Sequence, residues 1–186
     1  DGCRLARATA AVYPHRDHAA LADLLDRAAA RGRRALVVSD SVFSMDGDAA
    51  DVDRLLEVAA STGAAVVLDE AHAVLGPDPA SVPDGVLLVR VGTLSKALGS
   101  LGGVVAGSHD LCDLLVNRAR TYIFTTAPTP ADTAAATAAL AVTRSDEGLA
   151  LLAHLRRLVD RALRDAREDG EAAEEAVAAR ADDDPA

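Results

Sequence analysis

The stretch Ala65-Val66-Val67-Leu68-Asp69-Glu70-Ala71-His72 decides the fold. Four apolar residues in an unbroken row suit a parallel strand covered on both faces, and two acids and a histidine follow at once. Upstream, Ala35-Leu36-Val37-Val38 is a second such run. Between the two, Asp51 is placed to cap a helix carrying Leu55, Leu56 and Ala59, and Gly63 is placed to end it. Strand, helix and strand within about thirty residues make a βαβ unit.

The pattern extends in both directions. Over residues 17–31, Leu21, Leu24, Leu25 and Ala28 recur at helical spacing, with Asp17 as N-cap and Gly32 as terminator. Downstream, apolar runs at 86–91 and 104–106 continue the sheet, and Leu111, Leu114 and Leu115 mark another helix. The fold class is therefore α/β, a mostly parallel sheet with flanking helices. In such sheets ligands bind beyond the carboxyl ends of the strands, so the polar stretches 39–48, 69–72 and 92–96 are the ones to inspect. After Pro130 the sequence is Ala-rich and helical to about Arg167, with Leu149, Leu152, Leu155 and Leu158 or Val159 in one stripe. Residues 168–186 are acidic and lack Leu, Ile and aromatics, so a disordered or fraying tail is expected there. These features divide the chain into a cofactor domain over 1–145, a helix over 146–167 and a tail over 168–186.

Composition narrows the function classes. Half of the 186 residues are hydrophobic, with two Tyr, two Phe and no Trp, so the core must be aliphatic. A formal charge of -10 repels a phosphate backbone, and no basic cluster interleaved with aromatics offsets it, which argues against nucleic acid. Cys3 and Cys112 have no ligand or disulfide spacing, so no metal site is expected and the cytoplasm is the default compartment. No apolar stretch approaches the roughly 20 residues that span a bilayer, so no membrane association is expected. The first residue is Asp rather than Met, and a chain truncated at its front is the expectation.

Three constellations carry chemistry. The first is Gly92-Thr93-Leu94-Ser95-Lys96-Ala97-Leu98-Gly99, a lysine on a glycine-rich turn after a buried strand. A loop lysine is usually only a solvated cation. Here the glycines permit close backbone approach, and hydroxyls with backbone N–H groups can hold a phosphate. A lysine in a dry or cationic pocket becomes a competent amine nucleophile. The second is Asp69 with His72. A carboxylate there can keep a pyridine nitrogen protonated and an imidazole three residues on can flank the same ring, while the plainer reading is an Asp capping the next turn. The third is Ser44 in Val42-Phe43-Ser44-Met45-Asp46-Gly47-Asp48. Alone it is turn chemistry, and its place at the same sheet edge is what singles it out.

Together these segments resemble the α-oxoamine synthase family of fold-type-I pyridoxal-phosphate enzymes. The resemblance runs from Asp1 to about Arg161 and rests on five ordered matches: Asp1-Gly2-Cys3-Arg4-Leu5, the Ser-Val-Phe-Ser-Met-Asp-Gly-Asp at 41–48, Asp69-Glu70-Ala71-His72, the Lys96 turn, and Tyr122-Ile123-Phe124-Thr125-Thr126. It implies the large cofactor domain of such an enzyme, incomplete at both ends. It implies pyridoxal 5'-phosphate as cofactor, and an amino acid and an acyl-CoA or acyl carrier protein thioester as substrates, condensed with loss of carbon dioxide. Lys96 is then the Schiff-base lysine and the group that moves the α-proton, Asp69 pairs with the pyridinium nitrogen, and His72 and Ser44 contact the ring hydroxyl. Thr93 binds the phosphate. Thr125 and Thr126 reach the phosphate of a neighbouring subunit's cofactor, which implies a homodimer with shared sites. Ser95 and Ala73-Val74-Leu75-Gly76-Pro77 look most like the branch serving biotin synthesis, although Gly-Thr-Leu-x-Lys-Ala also occurs in glycine acetyltransferase and 5-aminolevulinate synthase relatives. Three departures accompany the match. The family's ring-stacking histidine would precede Asp1, its carboxylate-binding arginine has no counterpart, and the loop after His72 is short.

Two readings of other classes compete. Val67-Leu68-Asp69-Glu70-Ala71-His72 also looks like the Walker B box of a DEAH helicase, where acids hold magnesium. That reading needs an upstream GxxxxGK[ST] loop, and the 68 residues before Asp69 contain none. The other is a non-catalytic remnant that binds partners through exposed helices.

Overall fold

The computed structural model describes residues 2–73 and 78–182, side chains excepted at 4 and 169–182. The stretch Val74-Leu75-Gly76-Pro77 and the last four residues of the acidic tail lie outside the described residues. The chain divides into two compact units, residues 1–136 and 137–186.

The first unit holds the sheet. After a short helix α1 (Gly2–Leu5), helix α2 (His18–Ala29) leads into strand β1 (Leu36–Asp40), and helix α3 (Val52–Ala60) leads into strand β2 (Ala65–Asp69). Strands β3 (Leu88–Thr93) and β4 (Gly103–Ala106) complete a sheet ordered β1-β2-β3-β4. The first three strands are parallel and β4 runs antiparallel to β3. Both expected caps form. The Asp17 carboxylate accepts from the Ala20 N–H and that of Asp51 from the Arg54 N–H, each satisfying a backbone donor that the helix leaves orphaned.

The core lies where α2 and α3 meet one face of the sheet. Leu21 and Leu25 from α2, Leu55, Leu56, Val58 and Ala59 from α3, and Val37 and Val66 from the strands form one buried cluster. Removing a side chain such as Leu56 from water contributes about 1.5–3 kcal/mol. The opposite face departs from expectation. Along β1, Val37 and Ser39 point inward while Leu36 and Val38 stay 57% and 48% exposed. Side chains alternate across a strand, and the two helices cover only one side. An unbroken apolar run therefore does not mean two covered faces within the described residues.

Past β4, helices α4 (His109–Arg118) and α5 (Arg120–Ile123) follow, then α6 (Pro130–Thr143). In the second unit, helix α7 runs from Asp146 to Asp182, through most of the stretch expected to be disordered or fraying. Residues 168–182 are mostly Ala, Glu and Arg, strong helix formers that continue a helix even without apolar residues to bury. The Leu149, Leu152, Leu155 and Leu158 stripe is exposed. No described helix is long and apolar enough to cross a membrane.

Candidate functional site at the carboxyl edge of the sheet

The parallel register brings the polar stretches to one edge. Asp40 pairs with Asp69, and Asp69 with Val91, so the residues after β1, after β2 and at the end of β3 emerge side by side. Two backbone bonds extend this alignment past the strands: the Ser41 N–H donates to the Asp69 carbonyl at 2.8 Å and the Glu70 N–H to the Val91 carbonyl at 2.7 Å.

Lys96 sits in the connection from β3 to β4. That connection is fixed by its backbone: Leu94 N–H donates to the Gly102 carbonyl, Ser100 N–H to the Leu94 carbonyl and Gly99 N–H to the Lys96 carbonyl. Gly102 has a φ of +116°, a conformation that side-chain-bearing residues rarely adopt. Leu98 is buried, and Ser100 Oγ donates to the Asp132 carbonyl at 2.6 Å. The lysine is thus carried on an anchored turn while its own side chain remains exposed. It is the only lysine in the sequence.

The Lys96 Nζ lies 2.7 Å from His72 Nε2, a hydrogen-bonded pair joining two of the stretches singled out in the sequence. Asp69, at the end of β2, accepts at Oδ1 from the Ala71 N–H at 2.9 Å, so it caps the turn that carries His72, with Oδ1 engaged in that bond. Thr93 Oγ1 lies 2.7 Å from Ser95 Oγ, accepts from the Ser95 N–H and donates to the Gly102 carbonyl. The two hydroxyls and the adjoining amide form a small polar ledge beside the lysine turn.

Ser44, Thr125 and Thr126 are not drawn into this pair. Ser44 lies exposed in the turn at 44–46, at the same sheet edge. Thr125 and Thr126 are exposed beyond α5, and among the described residues no hydrogen bond links any of the three to Lys96 or His72.

Two ion-pair groups escaped the sequence reading. The Arg90 guanidinium donates through Nε and Nη2 to the Glu70 carboxylate at 2.7–3.0 Å and through Nη1 to Asp78. Arg90 is held above its ordinary pKa, chiefly by the Glu70 bond, with burial opposing and Asp78 adding. The signal was present in its position, one of only two cations between Arg54 and Arg118. In the second group, Asp48 binds His15 Nε2 at 3.0 Å and Arg16 Nη1 at 2.9 Å, while the His15 ring stands edge-on to Phe43. The Asp48 carboxyl is pulled below its usual range, first by the His15 hydrogen bond and then, against desolvation, by Arg16. His15, Asp46 and Asp48 could converge on a cation, but Arg16 already neutralises Asp48.

The description "Aminotransferase class I and II" fits residues 1–174. The chain belongs to the aminotransferase class I and II family. Within it, 8-amino-7-oxononanoate synthases of Burkholderia orbicola (strain MC0-3) and Burkholderia cenocepacia (strain HI2424) are each 48% identical over 168 residues, covering 87% of this chain and 41% of theirs. This member of the family thus spans about two fifths of the length of the curated relatives it matches. Among solved structures, Sphingomonas wittichii serine palmitoyltransferase aligns over 89% of this chain and 43% of its own, with a TM-score of 0.76 and 31% identity. The 8-amino-7-oxononanoate synthase of Francisella tularensis aligns over 75% and 42%, with a TM-score of 0.59 and 29% identity. Family membership removes the DEAH helicase reading, because the same Asp69-Glu70-Ala71-His72 segment now sits in a fold of another kind.

Proposed function

We propose that this chain supplies the cofactor-holding part of a pyridoxal-phosphate-dependent acyltransferase. The reaction is the condensation of L-alanine with a pimeloyl thioester, on CoA or acyl carrier protein, to 8-amino-7-oxononanoate for biotin synthesis. The observation that carries the reading is the Lys96–His72 pair at 2.7 Å beside Asp69, in a chain 48% identical to synthases of that name.

The donor set fits the cofactor: a primary amine for its aldehyde, an acid at a strand end for its ring nitrogen, and the Thr93 and Ser95 hydroxyls for its phosphate. When bound, the cofactor withdraws electrons from the substrate Cα, which is the chemistry no side chain here can supply. With the cofactor held there, Lys96 would provide its covalent tether and would move a proton at the substrate Cα. Asp69 keeps the ring nitrogen protonated. His72 and Ser44 would orient the ring through its hydroxyl, and Thr93 would hold the phosphate, with Ser95 beside it. Thr125 and Thr126 serve the second site of a homodimer. The enzyme works in the cytoplasm, and the division into a cofactor domain over 1–145, a connecting helix and an acidic tail belongs to this same reading.

Because Lys96 is the only lysine, the test is clean. Borohydride reduction of the chain with pyridoxal phosphate should leave the adduct on the Lys96 peptide. An adduct confined to the amino terminus, or none, overturns the proposal.

A further inference from the structure

We propose that Arg90 is a positioning residue, which sets His72 against Lys96 by clamping Glu70. The inference rests on the function proposed above and adds to it a residue for which neither the family resemblance nor that reading has a role.

Arg90 lies on β3, and in the register its neighbour on β2 is Leu68, two residues before Glu70. Its guanidinium reaches around the strand end and takes the Glu70 carboxylate with two nitrogens. A planar fork meeting a carboxylate at two points fixes orientation as well as distance. The pair is mostly withdrawn from solvent, with 26% of the Arg90 side chain and 12% of the Glu70 side chain exposed. It is therefore screened less than an ordinary surface pair.

Glu70 is the pivot of the His72 turn. Its N–H is taken by Val91, its carbonyl accepts from the Ala73 N–H at 3.0 Å, and the amide next to it is held by Asp69. With the side chain pinned as well, the backbone leading to His72 has every polar group of Glu70 engaged. The remaining fork nitrogen, Nη1, binds Asp78, so one guanidinium also secures the chain where it returns. His72 and Lys96 are both exposed. Burial does not hold their 2.7 Å contact, and rigid supports on either side must. The lysine has its glycine turn, and the histidine has the Arg90–Glu70 clamp. A misplacement of about 1 Å at such a contact can cost a hundredfold in rate.

The experiment is a double-substitution cycle read by NMR on the full 186-residue chain without cofactor, using 15N-labelled histidine. Lys96→Ala should shift the His72 Nε2 resonance, because it removes the bonded amine. In an Arg90→Leu background the same Lys96→Ala change should leave that resonance in place, the contact being already lost. Arg90→Lys, which keeps the charge but not the fork, should restore the response only in part. Arg54→Leu, which breaks the exposed Arg54–Glu57 pair, should leave it intact and serves as the control for lost ion pairing in general. If Arg90→Leu does not fold, Glu70→Gln decides the matter, since it keeps shape and removes the charge. A Lys96→Ala shift as large in Arg90→Leu, or in Glu70→Gln, as in the parent overturns the proposal. The readout needs no cofactor. Failure of borohydride fixing at Lys96 would strike the proposed function while leaving this measurement standing, and the reverse holds as well.

Discussion

The α2–α3 side of the sheet and the β3–β4 side are held by different means. On the first, Leu55, Leu56, Val66 and Leu68 are almost wholly buried, and structure rests on close apolar packing. On the second, every residue of β4 is exposed, and the elements are fixed by ladder bonds, turn amides and one forked ion pair. The Lys96–His72 pair sits at the boundary. Packing supplies stability where no reagent needs to enter. Hydrogen bonds supply position where side chains must stay reachable. Lys96 and His72 are both exposed, each carried on a turn that hydrogen bonds hold in place.

That contrast can be broken most forcefully in the core. Leu56→Ala should destabilise the chain by about 2–5 kcal/mol, the range for emptying a fully buried leucine site, whereas Val105→Ala on β4 should cost less than about 1 kcal/mol. Urea unfolding measures both, and equal costs would erase the distinction. Next in size is Asp69→Asn, where function and stability should part. An amide oxygen can still accept the Ala71 N–H, so stability should hardly change. Turnover in a protein carrying this site should fall about a hundredfold, about 2.7 kcal/mol, while cofactor fixing on Lys96 survives. Parental turnover would leave Asp69 as a turn cap and nothing more. Asp51→Ala removes the cap of the core-facing helix and should cost about 1 kcal/mol, read from the same urea curves.

The smallest effect belongs to the Asp48 group at the mouth of the 41–48 turn. A carboxyl whose pKa is lowered on folding stabilises the fold above its ordinary value of 3.8, and that contribution disappears as pH falls through the lowered pKa. His15→Ala should therefore move the Asp48 titration back up toward its ordinary value, as followed by carboxyl 13C NMR. An unmoved titration would show that Arg16 alone sets the local charge.

The same boundary separates what could be read from the sequence and what could not. The caps at Asp17 and Asp51, the β1 and β2 runs and the convergence of Lys96 with His72 follow from local patterns and from the rule that parallel strands end together. The scarcity of cations between Arg54 and Arg118 marks Arg90 itself, but its pairing with Glu70 is not legible this way, because their meeting depends on strand register across twenty residues of sequence. Nor is the reversal of β4, since Val104-Val105-Ala106 reads alike in either direction. An apolar run records what a strand tolerates on both faces, and packing alone shows that Leu36 and Val38 of β1 stay exposed. The acidic stretch from 168 to 182 runs as helix because missing apolar residues argue against burial, which is a different matter from helicity.

The antiparallel return of β4 also bears on how the chain folds. Leu36 must find Ala65, and Val66 must find Leu88, across intervening helix and loop, while Thr93 meets Gly103 within the short lysine turn. Closing a short loop costs less chain entropy than closing a long one, and pairings near in sequence form sooner. The β3–β4 pairing is therefore expected to close ahead of the two parallel ones, in the roughly 1–10 μs that such hairpins take, and to be held only once the parallel strands give it a sheet to join.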